Sequence, residues 1–244
     1  MISNHLQDFI EQSNGCVDPR ELFEVLRQSV GLLGFDRFAY GSLSSRSKSK
    51  GSSREIAVQL NYPDDWVEHY FEKDYQSKDP IVCRSPLIKR PFSWNELSNK
   101  ISLERVEQTV IDEATDAGLK DGVTIPLHGP LGELAVVSLA SSVGACHAES
   151  HLPMLGAIAS QFHLAYDRLH EGDLIRPHEI TLTPRERECL AWMARGKSSW
   201  DVGLILNISE NTVNFHMKNI MAKFNMNNRV LIILEAVRQG LIKI

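Results

Sequence analysis

Residues 181–224 read TLTPRERECLAWMARGKSSWDVGLILNISENTVNFHMKNIMAKF, a stretch that decides the fold of the C-terminal part of the chain. Thr183-Pro184-Arg185-Glu186 combines a threonine N-cap, a proline at the first helical position and a glutamate three residues on, which is a capping box opening a helix. That helix runs through Leu190 and Met193 and ends near Gly196, a residue suited to a left-handed helix end. Ser198 and Ser199 can cap a second helix with Val202, Ile205 and Leu206 on its apolar side. Asn207-Ile208-Ser209 is a short turn, and a third helix follows from Glu210 to Lys223.

In the third helix Val213, Met217, Ile220, Met221 and Phe224 recur at helical spacing and form one buried stripe. Asn211, Asn214 and Lys218 form another stripe facing away from the first. Asn can pair with adenine N6/N7 and Lys with guanine O6/N7, so this second stripe suits a reader of the major groove. Phe215 lies almost opposite the buried stripe, where over DNA it meets a thymine methyl or a sugar. Taken alone, the helix reads more readily as an ordinary amphipathic one with a polar outer face. Two capped helices and a short turn ahead of it favour DNA reading.

The tail, residues 181–244, resembles the DNA-binding domain of LuxR-type transcription regulators, a helix-turn-helix of four helices. Glu186, Leu190 and Gly196 stand at that family's signature spacing, while Gly203 departs from its usual alanine. On this reading Asn214 and Lys218 read bases, with Asn211 and Phe215 beside them. Lys197, Thr212 and Lys223 hold phosphates, and Ser198 belongs to the same interface.

Charge agrees with that division. Residues 181–244 hold nine Lys/Arg against five Asp/Glu, while residues 1–180 hold seventeen against twenty-six, so the tail alone attracts phosphate. A net of +4 is modest, so one copy should bind DNA weakly and two copies are expected to act together. The composition, 43% hydrophobic and 23% charged, is that of an ordinary globular protein. No apolar run is long enough to span a membrane, the start lacks a basic segment before an apolar core, and the expected location is the cytoplasm. Cys16, Cys83, Cys146 and Cys189 are far apart, fit no metal spacing and read as reduced thiols.

Residues 1–34 read as helical, with Asp18-Pro19-Arg20-Glu21 as a second capped start, and Phe35 to Leu43 alternates as a strand. Residues 44–54 hold six serines and four basic residues, and read as a mobile loop before a second strand, Glu55 to Leu60. Asn61-Tyr62-Pro63 begins a helix bearing Trp66 and Tyr70. Asp79-Pro80 begins another, with Ile81, Val82, Leu87 and Ile88 as its buried positions, and Trp94 stands in a connection. Leu103 to Ala117 is helical, strands follow at Val123–Leu127 and Gly132–Ala140, and a long helix runs from Ala148 to His170. Glycine and proline break the polar run before residue 181, so the expected division is a domain over 1–170, a linker over 171–180 and a second domain over 181–244.

An α/β domain in front of a DNA reader suggests a sensor. Asn61-Tyr62-Pro63-x-x-Trp66-x-x-x-Tyr70, then Asp79-Pro80, Trp94 and Gly122, resembles the autoinducer-binding domain of the same LuxR-type family. The resemblance implies an N-acyl homoserine lactone as ligand, and the side chains suit one. Asp79 as a carboxylate accepts from the amide N–H. Trp66, a donor only, meets the lactone carbonyl, and the Tyr62 and Ser138 hydroxyls donate to the acyl carbonyl. Tyr70 and Trp94 wall the pocket and Gly122 permits close approach. Each has a plainer reading: Asp79-Pro80 is also a helix N-cap pair, and Trp66, Tyr70 and Trp94 also suit a core.

No GxSxG, HExxH, Gly-rich phosphate loop or Cys–His pairing is present, so no catalytic residue, metal or cofactor is expected. A phosphorylated receiver is disfavoured because the N-terminal part lacks the required acidic pair and the later Asp and Lys. The whole chain is therefore expected to be α+β: an N-terminal α-β-α sandwich with an antiparallel sheet, then an all-α four-helix domain. Its expected partners are the lactone, a second copy of the chain and a near-palindromic site on double-stranded promoter DNA.

Overall fold

The computed structural model describes residues 2–43, 57–129, 132–144, 148–170 and 180–243. The chain divides into two compact units, Met1–Asp173 and Leu174–Ile244. The serine-rich stretch 44–54, Cys146 and the expected linker, apart from Ile180, lie outside the described residues.

The first unit opens with α1 (Ile2–Gly15) and α2 (Pro19–Gly31). Asp18 caps α2 by accepting from the Arg20 N–H at 2.6 Å. Five strands follow: β1 (Arg37–Ser42), β2 (Ala57–Leu60), β3 (Phe92–Ser93), β4 (Asp121–His128) and β5 (Leu134–Ser141). They form one sheet in the order β2-β1-β5-β4-β3 with every neighbouring pair antiparallel. Between β2 and β4 lie α3 (Asp64–Glu72), α4 (Pro80–Arg84), α5 (Trp94–Lys100) and α6 (Arg105–Asp116), and α7 (Ala148–His170) completes the unit.

Alternation along the strands sorts the sheet into two faces. Phe38, Tyr40, Val123, Ile125, Val137 and Leu139 join Phe9, Leu22, Phe23 and Leu26 of α1 and α2 and Leu155, Ile158 and Phe162 of α7 in one core. Fully burying each such aliphatic or Phe side chain contributes about 1.5–3 kcal/mol. The intervening Ala39, Gly41, Val136 and Ser138 look the other way, into a cavity whose far wall is built from α3 to α6. The unit is thus helix, antiparallel sheet, helix.

Two local expectations are corrected. Asp79-Pro80 opens α4, but that helix stops at Arg84 and passes into a 3₁₀ turn over Ser85–Leu87. Pro86 has no N–H to continue the helical ladder, and Leu87 points outward at 81% exposure instead of being buried. Trp94 does not stand in a loop. It is the first residue of α5, capped by Ser93, whose hydroxyl accepts from the Glu96 N–H at 3.0 Å. Gly156 of α7 helps place it, since a Cβ there would come within 2.9 Å of Pro91, the residue that leads into β3.

The second unit comprises α8 (Pro184–Ala194), α9 (Ser199–Leu206), α10 (Glu210–Phe224) and α11 (Arg229–Arg238). Capping boxes at Thr183/Glu186 and Ser198/Asp201 open α8 and α9, and Ser209 caps α10. Asn207 turns the chain between α9 and α10 with φ 54°. Leu190, Met193, Val202, Val213, Ile220 and Ile232 form the centre of its core. A Cβ on Gly203 would lie 2.8 Å from the Ile208 carbonyl oxygen, so the glycine lets α9 sit directly on the turn.

Candidate ligand cavity and DNA-reading face

Tyr62, Trp66, Tyr70, Asp79, Trp94 and Ser138 come from five separate places in the chain, and all six line one cavity of about 200 Å³. The lining is mostly apolar, including Leu60, Val67, Phe71, Val110 and Ile111. Trp66 and Tyr70, one helical turn apart on α3, meet edge to face with ring centroids 5.7 Å apart.

Asp79 is both a cap and a cavity group. Its Oδ1 accepts from the Ile81 N–H at 2.8 Å, and its Oδ2 accepts from the Tyr70 hydroxyl at 2.9 Å. Burial raises its pKa above the ordinary value, against the opposing effect of those hydrogen bonds. Burial, with the nearby Asp79 charge, likewise pushes up both Tyr62 and Tyr70, so the phenols stay protonated donors. Tyr70 spends its proton on Asp79. The Tyr62 hydroxyl is buried with no hydrogen-bond partner among the described residues.

Ser138 sits between β1 and β4, paired with Ala39 on one side and Thr124 on the other. Its Oγ is 2.9 Å from Thr124 Oγ1, which accepts from the Trp94 indole N–H at 3.0 Å. Thr124 was not legible as a site residue, although period-two alternation places it on the same face as Ser138 once β4 and β5 are in register. Because Thr124 accepts from the indole, it can give its own proton to Ser138, leaving the serine proton for a ligand oxygen. Gly122 fits the expectation of close approach: a Cβ there would fall 2.7 Å from three atoms of the Trp94 ring.

On the second unit, Val213, Met217, Ile220 and Phe224 of α10 are buried and Met221 is half-buried. Asn211, Asn214 and Lys218 are exposed, and Phe215 projects with 60% of its surface in solvent. Lys197 is exposed ahead of α9. Ser198 and Thr212 are engaged in caps: Ser198 with Asp201, and Thr212 through its N–H and hydroxyl with Ser209.

Lys223, expected at a phosphate, also has partners within its own unit. Its ammonium lies 2.7 Å from the buried Glu186 carboxylate and donates to the Thr181 carbonyl at 2.8 Å. Burial raises the Glu186 pKa, but hydrogen bonds from Lys223 and Thr183 outweigh it and hold the carboxyl below its ordinary value. Lys223 is therefore a brace between α8 and α10. Sequence spacing placed it at the helix end but could not show a partner 37 residues away.

Among the described residues no group of His, Cys, Asp and Glu could hold a metal ion, and no helix is long and apolar enough to cross a membrane.

Comparison with known proteins matches each of the two units to a protein family. Residues 18–166 match the autoinducer binding domain family, and residues 180–236 match the bacterial regulatory proteins of the luxR family. The chain is 36% identical to a putative HTH-type transcriptional regulator, y4qH, of Sinorhizobium fredii, over 96% of this chain and 72% of that one. It is 33% identical to the transcriptional activator VanR of Vibrio anguillarum, over 96% of this chain and 95% of that one. Among solved structures, SdiA in complex with octanoyl-rac-glycerol is similar with a TM-score of 0.69 and 25% identity, covering 97% of this chain and 94% of that one; another structure identifies SdiA as an Escherichia coli protein. The chain belongs to the LuxR family of quorum-sensing transcription regulators, with an autoinducer-binding domain followed by a DNA-binding helix-turn-helix.

Proposed function

We propose that the cavity takes an N-acyl homoserine lactone and that its occupancy sets how the chain engages promoter DNA. The observation that carries this reading is the meeting of Asp79 and the Tyr62 hydroxyl, which has no hydrogen-bond partner among the described residues, in a mostly apolar space. An amide-linked lactone offers one N–H for the carboxylate, carbonyls for Tyr62, Trp66 and Ser138, and a chain for the apolar wall. The division into domains over 1–170 and 181–244, with the linker over 171–180, is part of the same proposal.

Asn214 and Lys218 read bases, with Asn211 and Phe215 beside them, and Lys197, Ser198 and Thr212 face the sugar-phosphate backbone. Val230, Leu231 and Leu234 form an exposed apolar face on α11, which suits pairing with a second copy over a near-palindromic site. Such a protein acts in the cytoplasm, where signal and promoter meet.

The test is mass spectrometry of small molecules released from the purified full chain, joined to thermal shifts with N-acyl homoserine lactones of several chain lengths. The reading expects a released or stabilising lactone. Stabilisation by octanoyl glycerol but by no lactone would reassign the head group to an ester without an amide.

A further inference from the structure

Trp66, Tyr70 and Asp79 all belong to one arm of chain, residues 64–84, which contributes no strand to the sheet. Trp66 and Tyr75 of the arm pack with Leu119 and Ala140, and Ile81 with Phe92 and Leu97, while polar side chains tie it to α6. The Glu113 carboxylate of α6 is 2.7 Å from His69 Nε2 and accepts from the Tyr75 hydroxyl, also at 2.7 Å. One turn and a half earlier on α6, Glu107 Oε1 accepts from Arg84 at 2.6 Å while its other oxygen accepts from the Glu104 N–H at 2.8 Å.

These ties are well placed to act on the cavity. Tyr75 is buried against Trp66 and Tyr70, with ring centroids 6.2 and 6.1 Å away, and its carbonyl accepts from the Asp79 N–H at 2.6 Å. His69 stands one turn from Trp66 on α3, at 6.1 Å between rings. On the opposite side α6 supplies Val110, Ile111, Ala114 and Thr115 to the cavity wall. The same carboxylate therefore joins the two walls between which a ligand must pass or lie. Neither Glu113 nor His69 lines the cavity, so neither is a ligand contact.

We propose that Glu113 is a positioning residue that clasps the 64–84 arm to α6, so that parting this clasp is the step by which ligand enters and leaves. The ligand half of the proposal rests on the acyl-lactone reading of the cavity, and the clasp itself does not. A clasp differs from a binding contact in its kinetics. Loss of a contact speeds only departure, whereas loss of a clasp lowers the barrier in both directions.

The first test needs no ligand: amide hydrogen exchange on the full chain, comparing wild type with Glu113→Ala. Exchange across residues 64–84 should quicken by about tenfold, the joint worth of the two part-exposed hydrogen bonds lost, while the β4–β5 amides keep their rates. Unchanged arm exchange, or equal acceleration through the sheet, overturns the clasp. The second test is stopped-flow binding of N-octanoyl homoserine lactone and, separately, octanoyl glycerol. Association and dissociation should both quicken in Glu113→Ala, and Glu113→Gln, which keeps an acceptor for Tyr75, should recover part of the wild-type rates. Faster dissociation with unaltered association overturns the gate. Tyr75→Phe removes one donor and keeps the ring packing, so it supplies the same two readouts if Glu113→Ala does not fold. Wild type that binds neither probe would count against the acyl-lactone reading while the exchange result still judges the clasp.

Discussion

Removing the Tyr62 hydroxyl should have opposite effects on the empty and the filled protein. That hydroxyl is buried without a hydrogen-bond partner among the described residues. Leaving a buried donor unsatisfied costs about 1–3 kcal/mol, so Tyr62→Phe should stabilise the ligand-free N-terminal unit by about 1–2 kcal/mol. In a unit of this size each kcal/mol moves the melting temperature by about 2–4 °C, which gives a rise of about 2–8 °C. With ligand bound, the same substitution strands the acyl carbonyl in a dry pocket and should weaken binding by about 1–3 kcal/mol, or one to two decades. The ligand-induced shift in melting temperature therefore shrinks from both ends. Differential scanning calorimetry on wild type and Tyr62→Phe, each with and without N-octanoyl homoserine lactone, measures all four states. A variant that melts at or below wild type when empty refutes the orphaned hydroxyl, and undiminished affinity refutes its role in binding.

Asp79 predicts a pH dependence of ligand affinity. Burial raises its pKa in the empty pocket, and an N–H donated by the ligand favours the charged form, so binding should release a proton. Affinity should rise with pH between the bound and free pKa values and then level off, and isothermal titration of Asp79→Asn should show no such rise. In the helix-turn-helix unit, Lys223→Ala leaves the buried Glu186 carboxylate with the Thr183 N–H but without its partly exposed ammonium partner, a loss of about 1–3 kcal/mol measurable by urea unfolding. Because the Glu186 pKa is depressed in the folded state, its contribution is present above the unfolded value and is lost as pH falls through the folded one; that acid-side loss should flatten in Lys223→Ala. Lys218→Ala should cost about 1–3 kcal/mol chiefly on the cognate site, whereas Lys197→Ala should weaken all DNA alike and reduce the salt dependence; equal discrimination in Lys218→Ala by fluorescence anisotropy would reassign that residue. Gly122→Ala should drive the Trp94 ring from its place, seen as altered tryptophan emission and lost ligand response, since the added Cβ meets the ring at 2.7 Å.

The helical elements of the second unit were legible because their signals are local. Thr183-Pro184 with Glu186, and Ser198 and Ser209 ahead of apolar spacing, state where α8, α9 and α10 begin within a few residues of chain. The start of α5 carries the same kind of signal, Ser93 with Glu96 three residues on. What stayed hidden depends on residues distant in sequence. The Lys223–Glu186 pair, the hydroxyl chain from Trp94 through Thr124 to Ser138 and the grip of Glu113 on His69 and Tyr75 exist only once helices and strands are packed. The two-residue β3 is too short to show any alternation.

Tyr62, Trp66, Tyr70 and Asp79 lie within a few turns of one another along the chain, while much of the apolar wall is drawn from β1, β5 and α6. On the acyl-lactone reading, most of the contacts to the polar head and much of the wall for the tail are thereby written in different parts of the gene, Ser138 of β5 being shared. Substitutions at Ala39, Gly41, Val136 or Ile111 can lengthen, shorten or bend the space for a tail without touching the polar contacts. A lineage built this way is free to change which dialect of signal it hears, one wall residue at a time, while still recognising that it is being addressed.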